Sequence, residues 1–162
     1  MSFLAHTMQG APPAMGWLAP AVLAMLFAAA AIDAFTARIP DPLIFFGLLL
    51  TTAAQGFQAD WPVAARHLLI GFAAGVLVAG LNHLWYRFKK HDALGMGDAK
   101  WTMLAAACFG PLPAAVAWGL GAWLGLAWIG FLKLLRKPAT RVHFAPFLFV
   151  GLVVGIYWLR LR

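Results

Sequence analysis

The chain has 162 residues, 64% of them hydrophobic and only 10% charged, with a mean hydropathy of +0.84. A soluble domain of this size cannot bury so much apolar surface, which leaves a polytopic, all-α membrane protein. The formal charge of +7 sets twelve Lys and Arg against five acids, all Asp; the bases sit in short loops, where they read as orientation signals and contacts to anionic membrane lipid, with no nucleic-acid partner expected.

The stretch from Trp17 to Ile32 is apolar and Ala-rich, and Ala31-Ile32-Asp33-Ala34 loosely matches a small-residue cleavage site. Residues 1–16 hold no Lys or Arg, so the positive region of a signal peptide is missing and a retained first helix is expected over about 15–37. It should stop ahead of Pro40, because the residue before a proline avoids the helical region. A second helix, about 43–55, is entered through Pro42. The polar stretch Gln55-Gly56-Phe57-Gln58-Ala59-Asp60 reads as a turn into a third helix, about 62–86. A basic loop with Arg87, Lys89, Lys90, His91 and Asp92 leads to Gly95-Met96-Gly97-Asp98-Ala99-Lys100. The fourth helix, about 98–109, is cut off by Gly110-Pro111-Leu112-Pro113; a fifth covers about 114–135 and a sixth about 144–161. With no internal repeat, these six expected transmembrane helices form a single domain over 1–162.

Basic residues set the expected orientation. If the N-terminus lies outside, every Lys and Arg except Arg66, Arg160 and Arg162 falls in a cytoplasmic loop, which places the glycine motif on that side.

Two of the acids sit where a membrane protein has to justify them. Asp98 follows two glycines in three residues, which let the backbone turn tightly and approach another segment without a Cβ in the way. It is either a helix cap beside a surface lysine or a functional carboxylate. Asp33 lies near the end of helix 1, as an interfacial snorkelling residue or as a partner for Asp98; Arg38, five residues on, is poorly spaced for an intrahelical pair. Twelve residues of helix 4 rise only ~18 Å. With Gly110-Pro111 at the outer boundary, Asp98 would lie below the cytoplasmic surface, at a depth similar to Asp33. Two carboxylates in one desolvated site share a proton, since like charges a few ångströms apart cannot both ionise cheaply. The ionised one can take a proton from water while the neutral one polarises a carbonyl. Proton-coupled transport also needs intramembrane acids, so this chemistry leaves an enzyme and a small transporter both open. By helix dipole alone, Asp98 at a helix start suits the ionised base, and Asp33 near a helix end the protonated partner.

Taken in order, Asp33 with Arg38-Ile39-Pro40, then Gly95-Met96-Gly97-Asp98-Ala99-Lys100, then Phe144-Ala145-Pro146-Phe147-Leu148 resemble the type IV prepilin peptidases, membrane aspartyl proteases of the Gly-x-Gly-Asp class. The resemblance covers about residues 15–160. It implies an endopeptidase in the plasma membrane that cleaves the basic leader from pilin or pseudopilin precursors at the cytoplasmic face, without metal or other cofactor. Asp33 and Asp98 would be the catalytic pair, supported by Arg38, Pro40, Gly95, Gly97, Lys100 and Pro146. The family usually has Asn where this chain has Asp41, and an aliphatic residue where it has Trp101. Longer relatives carry a cysteine-containing N-terminal insertion with methyltransferase activity. Only about sixteen residues precede helix 1 here and none is Cys, so the chain resembles the short form of tight-adherence (Flp-type) pilus systems, without methylation of the mature pilin. A catalytically silent pilus-assembly scaffold is the further alternative.

Other residues carry less. His67, His83 and His143 are expected singly on apolar helices as structural or interfacial groups, and His91 with Asp92 lacks a metal-ligand set. Cys108 is the one cysteine and has no internal disulfide partner. Gly119, Gly121, Gly125 and Gly130 permit close helix contacts, including a homodimer face. Lys100 is expected to pair with a carboxylate or a lipid phosphate.

Overall fold

A computed structural model describes residues 17–89, 95–136 and 143–160. It is all-helical over those residues: α1 Leu18–Thr36, α2 Asp41–Gln58, α3 Trp61–Lys89, α4 Met96–Phe109, α5 Pro111–Leu134 and α6 Ala145–Arg160. Three of these, α1, α3 and α5, are long and apolar enough to cross a bilayer; α6 is apolar but shorter. Large apolar side chains such as Phe35, Phe57, Trp123 and Leu134 point out of the bundle. That is the pattern of a protein whose solvent is lipid.

Local geometry sets the helix boundaries, and α1 ends within a residue of the expected place. α1 ends at Thr36, well before Pro40, because Ala37 turns into the left-handed region with φ 55°. The Ala37 N–H donates to the Asp33 carbonyl at 2.8 Å, and the Thr36 hydroxyl donates to the Ile32 carbonyl at 2.8 Å. At the other junction, α5 begins at Pro111 rather than after Pro113. Both prolines fit the first turn of a helix, where N–H groups have no intrahelical acceptor to lose.

The expected turn at Gln55 is helical instead, and α2 runs on to Gln58. Gln55 is buried, and its Nε2 donates to the Ala107 carbonyl on α4 at 3.2 Å. That carbonyl would normally accept from the N–H four residues on, but residue 111 is a proline and has none. The glutamine satisfies across the bundle what the chain cannot satisfy locally.

α4 sits at the centre and contacts all five other helices. Trp101, Leu104, Ala105 and Ala106 are fully enclosed, and the Trp101 indole N–H donates to the Leu26 carbonyl of α1 at 3.2 Å. Trp101, the unusual residue here, thus fastens α4 to α1. Between helices in lipid the hydrophobic drive is weak, so close packing and interhelical hydrogen bonds carry the association. Gly71 of α3 shows how close: a Cβ there would lie 2.7 Å from the Met103 carbonyl oxygen of α4. On α5, Gly121 abuts the backbone of Leu148 in α6, while nothing lies near Gly119 or Gly130.

Candidate active site

Asp98 is positioned by its own helix. It occupies the third helical position of α4, and its Oδ2 accepts the Gly95 N–H at 3.0 Å while the Asp98 N–H donates to the Gly95 carbonyl at 3.0 Å. This is a reciprocal N-terminal box, built with a glycine. Behind it, the Thr102 hydroxyl donates to the Asp98 carbonyl at 2.6 Å and accepts the Trp118 indole N–H of α5 at 2.9 Å. Asp98 is 6% exposed, so a carboxylate at the start of an apolar helix is held almost entirely inside the protein. The cap expected as the plain alternative is therefore present, and it aims a buried acid instead of a surface one.

The two glycines do different things. A Cβ at Gly97 would meet the Ile39 side chain at 3.1–3.4 Å, so glycine there lets α4 press onto the link between α1 and α2. Gly95 has φ −76° and ψ 148°, an extended conformation open to any residue, and a Cβ on it would make only ordinary contacts. The tight turn expected at Gly95 is not formed.

Asp33 reaches the same place from the last full turn of α1. Its carboxylate faces the backbone N–H of Ala145, the first residue of α6, and lies within electrostatic reach of His143 and of Asp98. The dipole asymmetry expected between the two acids is thereby offset, because Asp33 too meets a helix N-terminus, one borrowed from α6. His143 precedes α6 and is not an isolated group on an apolar helix. Sequence reasoning placed neither beside Asp33; the signal for His143 was its position just ahead of Phe144-Ala145-Pro146, and the Ala145 N–H, a backbone donor, carried none.

A cavity of about 640 Å³ gathers Asp33, Arg38, Pro40, Gly95, Gly97, Asp98 and Lys100 on its walls. Pro146 is outside that lining and occupies the first turn of α6. Arg38 lines the cavity near Asp33. Lys100 pairs with Asp41, the residue that stands where Asn is usual. His91 and Asp92 lie outside the described residues, as do Lys90, Lys137, Arg141 and Arg162 of the charge-based orientation.

With one buried and one half-buried carboxylate on the same cavity, the site suits proton transfer at a bound amide. No curated protein and no solved structure shows a significant match to the chain. The family model described as the type IV leader peptidase family matches residues 21–159, a span that runs from within α1 into the end of α6 and includes both acids. The chain belongs to the type IV leader peptidase family, and is thus a leader-peptidase-type protease of the membrane.

Proposed function

We propose that the chain is an aspartic endopeptidase that removes the leader from Flp-type prepilins or pseudopilins at the cytoplasmic face of the plasma membrane. The observation that carries this reading is the meeting of Asp33 and Asp98 on one cavity. One carboxylate, ionised, takes a proton from a water as its oxygen attacks the scissile carbonyl carbon. The other, protonated, donates to the carbonyl oxygen as negative charge develops there. Collapse of the tetrahedral intermediate returns a proton to the leaving amine and breaks the C–N bond. Gly95 offers a stretch of wall without a side chain, along which a peptide backbone can lie close to Asp98. The leader approaches from the cytoplasm while the apolar segment of the precursor stays in the bilayer. Lipid and a single precursor chain are the only partners this scheme needs.

Asp33→Asn and Asp98→Asn should each abolish cleavage of a precursor with a basic leader ending in Gly, while both proteins remain inserted. Near-normal processing by either variant would overturn the assignment, and would favour a transporter or a scaffold. Sidedness is checked separately. In a Cys108→Ala background, a cysteine at exposed Met96 should react with an impermeant thiol reagent from the cytoplasmic side only, and one at exposed Ala59 only from the opposite side. The reverse pattern would put the site on the wrong face.

A further inference from the structure

The two acids come from different helices, and their spacing is only as good as whatever holds the end of α1 against the start of α4. On the dry side the Trp101 indole does so, bound to the Leu26 carbonyl. On the wet side the connection runs through the short link from Ala37 to Pro40. Ile39, 7% exposed, lies against Gly97 one residue before Asp98. Two residues after Ile39, at the first position of α2, the Asp41 carboxylate accepts a hydrogen bond from Lys100 Nζ, two residues after Asp98. Asp98 is thus bracketed by one apolar contact to the link and one ionic contact to the residue that follows it, and that link begins four residues after Asp33.

We infer that the Asp41–Lys100 ion pair is a positioning strut, which fixes the Asp33-bearing end of α1 against the Asp98-bearing turn of α4. This rests on the aspartic-protease reading for its kinetic consequence, though not for its geometry. The pair sits at the rim, with the Lys100 side chain 35% and the Asp41 side chain 72% exposed, so its strength is modest. Modest strength is enough, because small displacements of reacting groups cost rate steeply. Both residues line the cavity, yet each is occupied by the other. Their joint effect falls on geometry and hence on kcat, while a docking point for basic leader residues would act through KM. An Asn at position 41 keeps an oxygen that can accept from Lys100 and would serve as a weaker strut.

The test uses the full chain in lipid nanodiscs, with a synthetic precursor made of a basic leader ending in Gly and one apolar helix. Asp41→Leu and Lys100→Met should each lower kcat about three- to fivefold, the upper range for a partly exposed ion pair, with KM unchanged. Asp41→Asn should lie between them and the parent, and the exchange Asp41→Lys with Lys100→Asp should recover most of the loss. A second readout needs no catalysis. A Cβ built on Gly97 falls 3.4 Å from the Ile39 Cβ, close to disulfide spacing. In a Cys108→Ala background, Ile39→Cys with Gly97→Cys should cross-link readily under mild oxidation, severalfold more slowly with Asp41→Leu, and at the parent rate in the charge exchange. Cross-linking that ignores Asp41 and Lys100 would overturn the strut. So would a rise in KM at constant kcat with no rescue by the exchange, which would make Asp41 a contact for the leader. If the strut holds by cross-linking while Asp33→Asn still cleaves, the protease assignment fails and the strut stands.

Discussion

The two ends of α4 are held by opposite means. At the start, Gly97 and Lys100 meet the α1–α2 link at the rim of an open cavity, through a bare backbone contact and an ion pair. At the finish, the Ala107 carbonyl is capped in the dry interior by Gln55, and Gly110 turns with φ 88° into α5. The wet end can use charges because water and headgroups are near. The dry end must use a neutral hydrogen bond, since an unpaired polar group there costs several kcal/mol. A helix fixed firmly at its dry end and adjustably at its wet end presents an acid that is placed yet accessible.

Substitutions at the two ends should therefore separate activity from stability. The largest activity effect is expected from Gly97→Val, which drives a branched side chain into Ile39 and pushes the turn carrying Asp98 away from Asp33. Cleavage should fall by about 100-fold, as for an ångström-scale misplacement, while thermal unfolding in detergent changes little by comparison. Retained cleavage would mean that the contact with Ile39 does not set the site. Gln55→Leu should do the reverse. Stranding the Ala107 carbonyl should destabilise the protein by about 1–3 kcal/mol, read as a lower melting temperature, with kcat for the remaining folded protein within about twofold of the parent. The smallest effect belongs to the α1 end, where Ala37 holds a left-handed conformation that glycine adopts freely. Ala37→Gly should raise stability by about 0.5–1 kcal/mol, read as a higher melting temperature; a fall in stability would show that the strain there is already relieved.

How much of this could be read from the chain follows the same division. The wet end was legible because its chemistry is written in contiguous residues: Gly95 to Lys100 state a turn, an acid and a base within one helical turn and a half. The six helices were legible from apolar runs, and Asp33 from its cost inside one. The dry end was not. Gln55 beside Gly56 has turn composition, and only the three-dimensional approach of α4, whose carbonyl is orphaned by Pro111, makes a buried helical glutamine favourable. The Ala145 N–H facing Asp33 was illegible for a similar reason, since a backbone donor has no side-chain signature. Gly95 misled in the other direction: glycine suggests a special dihedral, and the backbone there is ordinary.

The central claim is that Asp33 and Asp98 act as one unit, and a double-substitution cycle tests it most directly. Precursor cleavage is measured for the parent, Asp33→Asn, Asp98→Asn and the two combined, all in nanodiscs and all shown to be folded. Residues that work as a unit are grossly non-additive, so the double variant should be no slower than either single one, with all three at background. Two partial losses that multiply in the double variant would show two independent contributions, and would contradict a shared catalytic pair.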